Sequence, residues 1–257
     1  MKRIKITVAY DGTQYCGWQI QPRDLTVEQV LNERLSTFLK EEIRVIGASR
    51  TDAGVHALGN VAVFDTDSSI PPERICYALN TVLPEDIRIM DSREVAADFH
   101  PRYRDSQKTY QYHIQNRRFP DPTKARYAHL VTAPLDVEAM DRAGTYLVGT
   151  HDFTSFCASG TQAKSMVRTV TGLKVSTMAE PVRVYDLAWG IGQDITIEVR
   201  GTGFLYNMVR IIAGTLIRVG LGVYPPEHVE EILKARNRYA AGETAPAKGL
   251  FLKEILY

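Results

Sequence analysis

The densest group of chemistry-bearing residues is the run Gly47-Ala-Ser-Arg-Thr-Asp-Ala-Gly-Val-His-Ala57. Small residues flank Arg50 and Asp52, so the backbone there can turn sharply and another chain can approach closely. One guanidinium and one carboxylate between glycines suit an anionic ligand beside a reacting group. The same residue types also make an ordinary turn in which Asp52 caps the following segment. Asp52 and His56 do not read as metal ligands, because Gly54 and Val55 oppose the helix that would bring positions four apart together. His100, His113, His129, His151 and His228 are scattered, with no H-E-x-x-H spacing. No nucleophile elbow and no phosphate loop of the G-x-x-x-x-G-K type occurs in the sequence.

A second constellation is Gly201-Thr-Gly-Phe-Leu-Tyr-Asn-Met-Val-Arg210. Its two glycines suggest a dinucleotide loop, but the third glycine is missing and an apolar stretch follows. Arg210 is a lone cation on an apolar helix, either snorkelling to the surface or paired and partly buried. A carboxylate such as Asp52 is a candidate partner. A third constellation, Lys108-Thr-Tyr-Gln-Tyr112, puts two tyrosines on one strand face beside a lysine. It lies inside a basic stretch that includes Arg102, Arg104, Arg117, Arg118, Lys124 and Arg126. Cations for phosphates and rings for unstacked bases suit a nucleic-acid surface, although Tyr110 and Tyr112 would serve equally as strand core.

The elements that must position these residues follow from periodicity. Ile4, Ile6 and Val8 alternate with polar residues as in a half-buried strand, which Asp11-Gly12 ends. Thr26 and Gln29 form a capping box before a helix carrying Val27, Val30, Leu31, Leu35 and Phe38. Ile43–Ile46 and Val61–Phe64 read as strands, Pro71-Pro72 opens a helix with Ile75, Leu79 and Val82, and Ile87–Met90 starts another strand. That order, β-α-β-β-α-β, is the split-βαβ plan.

The second half repeats the plan with insertions. It has strands at Tyr110–Ile114, Val167–Val175, Val184–Trp189, Ile195–Val199 and Leu250–Leu256. Helices are expected around Val137–Leu147, Leu205–Val219 and Val229–Leu233, with His151-Asp-Phe-Thr-Ser-Phe156 as a helix start. The expected fold is α+β, with two split-βαβ (ferredoxin-like) halves sharing a mainly antiparallel sheet and an active cleft between them. The domains are placed at 1-103, carrying the Asp52 loop, and 104-257, completing the cleft.

Composition bounds the function. With 257 residues, 44% hydrophobic and 24% charged, the chain is no disordered tail, collagen or disulfide-rich mini-domain. Thirty-one basic against thirty acidic residues give +1, so a basic surface can exist only by uneven distribution. Cys16, Cys76 and Cys157 are widely spaced, which supports neither a disulfide framework nor a zinc knuckle. No signal peptide or membrane span is read, and the expected location is cytoplasmic.

Taken together, these motifs make the chain resemble the TruA-type tRNA pseudouridine synthases along nearly its whole length. The matching stretches are Tyr10-Asp-Gly-Thr-Gln-Tyr-Cys-Gly-Trp-Gln19, the Gly47–Ala57 run, Lys108–Tyr112, His151–Phe156, Gly201–Arg210 and Ala245-Pro-Ala-Lys-Gly-Leu250, in family order. Ser49 stands where glycine is also common. The resemblance implies isomerisation of uridine to pseudouridine at positions 38, 39 and 40 in the anticodon arm of tRNA. It implies a homodimer that needs no cofactor, while from the residues themselves no metal and no membrane partner are expected. By motif position Asp52 would be the essential aspartate, Tyr110 would pack against the target base, and Arg210 would pair with Asp52. Arg50 would help hold the nucleotide out of the stack, and Lys108 would contact substrate beside Tyr110. Arg102, Arg104, Arg117 and Arg118 are the RNA-backbone candidates from the basic stretch. A synthase for another RNA, or a non-catalytic RNA-binding protein, are the alternatives.

Overall fold

The computed structural model describes residues 1–177 and 192–257, so the strand expected at Val184–Trp189 lies outside the described residues. The described chain forms two compact units, Met1–Ser106 with Phe251–Tyr257, and Gln107–Leu250. In chain order the first part contains β1 (Lys2–Tyr10), α1 (Val27–Leu39), β2 (Ile46–Gly47), β3 (His56–Thr66), α2 (Ile75–Leu79) and β4 (Ile87–Val95). The second contains β5 (Gln107–Asn116), β6 (His129–Val131), α3 (Val137–Thr145), β7 (Gly149–Asp152), β8 (Val167–Thr177) and β9 (Gln193–Gly201). It continues with α4 (Met208–Gly220) and α5 (His228–Ala235), and β10 (Leu250–Leu256) follows. Both units are α+β and mainly antiparallel.

In the first unit β1 lies between β4 and β3, with β2 on the far side of β3. That is the strand order of a split βαβ. Ile4, Ile6 and Val8 are fully buried, which is why the alternation was readable. Val27, Leu31 and Leu35 of α1 and Ile75 and Leu79 of α2 are buried with them, each contributing about 1.5–3 kcal/mol by leaving water. Thr26 caps α1 by accepting the Gln29 amide at 3.4 Å. The Gln29 side chain turns to Glu33 instead, so only half of the expected box forms.

β2 is shorter than the strand expected from Ile43. The Ile43 amide donates to Ser36 Oγ and the Val45 amide to Asn32 Oδ1, both on α1, leaving no ladder before Ile46. The end of β3 not used by β2 pairs in parallel with β10, Phe251 opposite His56 and Leu252 opposite Ala57.

In the second unit the order is β5-β9-β8-β7, antiparallel throughout, with β6 in parallel on β5. Helix α3 packs on β8 and α4. Almost every residue of α4 is buried, consistent with its apolar composition. The helix begins at Met208 rather than Leu205, because Asn207 sits at φ +59° and ends the preceding turn. His151 and Asp152 belong to β7, not to a helix start. Asp152 Oδ1 accepts the Thr154 amide and hydroxyl at 3.0 and 2.6 Å, which starts a single 3-10 turn at Thr154–Phe156. No helix among the described residues is long and apolar enough to cross a membrane.

Candidate active site

Asp52 lies in the loop between β2 and β3, half-buried, while Arg50 beside it is exposed. The loop is fixed from below by a buried polar network. Tyr10, at the end of β1, has its hydroxyl 2.7 Å from Thr51 Oγ1, and Asn60 Nδ2 donates to Tyr10 Oη at 3.4 Å and to the Ser49 carbonyl at 3.1 Å. The β1–β3 register shifts between Val8 and Tyr10, a bulge that re-aims the end of β1 where this network begins.

From the side, the loop is held by the segment that follows Asp11. The Trp18 amide donates to the Thr51 carbonyl at 3.1 Å, and the Gly54 amide donates to the Tyr15 carbonyl at 3.2 Å. Gly17 sits at φ +83°, and a Cβ there would stand 2.4 Å from the Thr51 carbonyl oxygen. At Gly12 a Cβ would stand 2.0 Å from the Val55 carbonyl oxygen. The two backbones therefore touch, and only glycine permits it. The Val55 amide returns to the Asp52 carbonyl at 3.1 Å, closing the turn. His56 is buried, stacked on Phe251 at 4.6 Å, with Nδ1 3.1 Å from both the Gly12 amide and Asp11 Oδ1. Tyr15 donates to Asp86 at 2.7 Å, and burial first, then that carboxylate, pushes its phenol well above the usual range.

The second unit places Lys108, Tyr110 and Tyr112 on β5 opposite Gly201, Val199 and Ile197 of β9. Tyr110 is 7% exposed and its ring meets Phe204 edge-on at 5.1 Å. Tyr112 is wholly buried and donates to the Pro246 carbonyl at 2.9 Å, and burial raises its phenol far above the ordinary value. Arg210 is half-buried on α4, where Nε donates to the Ala245 carbonyl and Nη1 to Asn207 Oδ1, both at 2.8 Å. The cation is thus oriented by the cap residue of its own helix and by the chain beyond it, rather than snorkelling.

The basic residues separate into surface and interior. Arg102, Arg104 and Arg118 are exposed, with Arg104 on Asp98 at 3.0 Å and Arg118 over the Phe119 ring at 5.1 Å. Arg117 departs from the expectation. It is 5% exposed and its guanidinium pairs with the buried Asp194, which also takes Lys124 at 2.7 Å. A guanidinium held by a buried carboxylate is not a surface contact for phosphate. Asn60 has no role that spacing reveals. Its one signal is a polar residue among the apolar positions of β3. No group of three or more His, Cys, Asp or Glu side chains is placed to hold a metal ion among the described residues.

Fold and site define an α+β protein that holds one carboxylate on a rigid, glycine-packed loop and an arginine–tyrosine set on a second unit. The family model described as tRNA pseudouridine synthase matches residues 6–104 and 143–257. The tRNA pseudouridine synthase A of Thermoanaerobacter sp. (strain X514) is 46% identical over 258 residues, spanning all of both chains. Those of Brevibacillus brevis and Acetivibrio thermocellus are 47% and 44% identical over 257 residues, again across both full chains. A solved archaeal box H/ACA sRNP Nop10-Cbf5 complex aligns with 97% of this chain and 46% of that chain at 9% identity, with a TM-score of 0.34, too low to carry an argument.

The chain belongs to the tRNA pseudouridine synthase family. It is accordingly an isomerase, the class to which pseudouridine synthases belong.

Proposed function

We propose that this enzyme converts uridine to pseudouridine at positions 38, 39 and 40 of the tRNA anticodon stem-loop, as a homodimer, with Asp52 as its essential carboxylate. The observation that supports it most is the Asp52 loop itself. It is bonded to separate parts of the first unit, to Tyr10 and Asn60 and to the Tyr15–Trp18 segment, which presents one half-buried carboxylate beside an exposed arginine.

The chemistry needs such an arrangement. The N1–C1′ bond breaks, the uracil turns within the pocket, and a C5–C1′ bond forms. A stacked base cannot turn, so the nucleotide must first leave the helix, at a cost of a few kcal/mol. Arg50 and Lys108 offset that cost by holding phosphates. Asp52 then serves either as the nucleophile or as the charge that steadies the developing cation at C1′. Tyr110 supplies a flat wall for the base, its ring already braced by Phe204. In this reading domain 1-103 supplies Asp52 and Arg50, domain 104-257 supplies Lys108, Tyr110 and Arg210, and Arg210 acts as the counter-cation of Asp52. Arg102, Arg104 and Arg118 contact the RNA backbone, while Arg117 is left out because it is buried.

The test is tritium release from tRNA carrying uridine tritiated at C5, without added metal or cofactor. Isomerisation expels that hydrogen and binding alone does not. Release by wild type, and none by an Asp52→Asn variant that still folds and binds tRNA, is the expected pair of results. Wild-type turnover in Asp52→Asn would refute the role of Asp52. Binding without release by the wild type would point to the RNA-binding protein or to another RNA.

A further inference from the structure

The loop after β4 carries an aromatic pair that the Asp52 site does not use. Tyr103 is 84% exposed, yet its ring is not loose. It stacks on His100 with centroids 4.1 Å apart and planes at 22°. The loop beneath is tied at several points. The Tyr103 amide donates to the His100 carbonyl at 3.2 Å, and the Arg102 amide donates to His100 Nδ1 at 3.2 Å, fixing the imidazole plane. Arg3 donates to the Phe99 carbonyl at 3.2 Å, Tyr257 donates to the Pro101 carbonyl at 2.7 Å, and Phe99 and Tyr257 meet edge-on at 5.2 Å under Lys5. Desolvation, then Arg102 and Arg3, lowers the His100 pKa, in the same sense as Nδ1 accepting the Arg102 amide.

An aromatic ring with one face on a fixed imidazole and the other toward solvent is a pre-stacked half of a sandwich. Exposed aromatic side chains on pinned loops are what unpaired bases use, because every base has a π-face and the ring loses little freedom on contact. Arg102 and Arg104 flank Tyr103 and are exposed, although Arg104 is shared with Asp98. We infer that Tyr103 on His100 is a stacking platform for one unpaired base of the RNA substrate, with Arg102 on the neighbouring phosphate. This rests on the reading of the chain as a tRNA-modifying enzyme and adds a contact outside the reacting nucleotide.

The test uses the full chain with three probes: the tRNA substrate, a single-stranded oligouridine and an RNA duplex of equal length. Tyr103→Ala is expected to weaken oligouridine binding roughly 5- to 150-fold, with an unchanged salt slope and unchanged duplex binding. Tyr103→Phe should bind as wild type, since only the ring is needed. Arg102→Ala should lower the salt slope by about one unit. Wild-type affinity in Tyr103→Ala, an equal loss on the duplex, or an equal loss in Tyr103→Phe would each overturn the platform. So would a Tyr103→Ala variant whose sedimentation mass changes, because the ring would then be a contact between copies of the chain. A wild type that binds none of the three RNAs would instead overturn the functional reading, and this inference with it.

Discussion

Gly17→Ala isolates the packing that places Asp52. An alanine at φ +83° carries about 1–3 kcal/mol of backbone strain. Its Cβ would also stand 2.4 Å from the Thr51 carbonyl oxygen and 3.1 Å from the Asp52 carbonyl carbon. Restoring an oxygen contact of 3.0–3.4 Å moves the two backbones apart by about 0.6–1.0 Å. If Asp52 is the essential carboxylate, as proposed, a shift of that size lowers turnover by about 100-fold, or about 2.7 kcal/mol of barrier. Gly160→Ala provides the control. It has a similar φ of +85° but open space around it, so the strain appears without the push. Both variants should lose stability in urea denaturation, Gly17→Ala by more, because the steric push adds to the strain they share. Only Gly17→Ala should lose single-turnover tritium release with saturating enzyme, while tRNA affinity holds. If folded Gly17→Ala turned over like wild type, or both variants lost activity equally, contact between the Gly17 turn and Thr51 would not be what aims Asp52.

Asp194→Ala should cost about 3–5 kcal/mol of stability, because it strands the buried Arg117 charge while Lys124 can turn to solvent. A urea midpoint shift worth under about 1 kcal/mol at constant m would show that the pair is not held dry. Asp65, bonded to Arg3, has a pKa below the ordinary carboxylate value. Its stabilisation is therefore fully present above the unfolded value near 4 and is lost as pH falls through the lowered folded value. Asp65→Asn should be less stable than wild type at pH 7, with the gap closing below about pH 4. A gap that stayed constant with pH would refute the assignment.

Much of the fold was legible because burial is one-sided. Ile4, Ile6 and Val8 enter the core and their neighbours do not, so period alone gives β1. The Asp52 loop was legible from its small residues, but its supports were not. Tyr10 and Asn60 reach it from sequence positions about 40 and 10 residues away through hydroxyl and amide bonds that no local pattern encodes. The early part of the strand expected from Ile43 was lost for a similar reason, its amides being taken by Ser36 and Asn32 one helix earlier. Arg117 sits in a charge run that looks uniformly exposed, and only Asp194, 77 residues on, draws it inside. His151-Asp152 has the residue types of a helix start, but the pairing of β7 with β8 takes the backbone first.

The parallel pairing of Phe251 with His56 also bears on how the enzyme is made. A ribosome delivers the Asp52 loop early, yet the strand leaving that loop has its Phe251 partner some 195 residues later, beyond the whole second unit. Until then the start of β3 is an open edge, and His56 lacks the ring that covers it. Closing so long a loop is entropically slow compared with closing the β1–β3 and β1–β4 pairings. The nascent chain thus carries an assembled but unsealed Asp52 loop through most of its synthesis, and sealing of the candidate site is among the last events of folding.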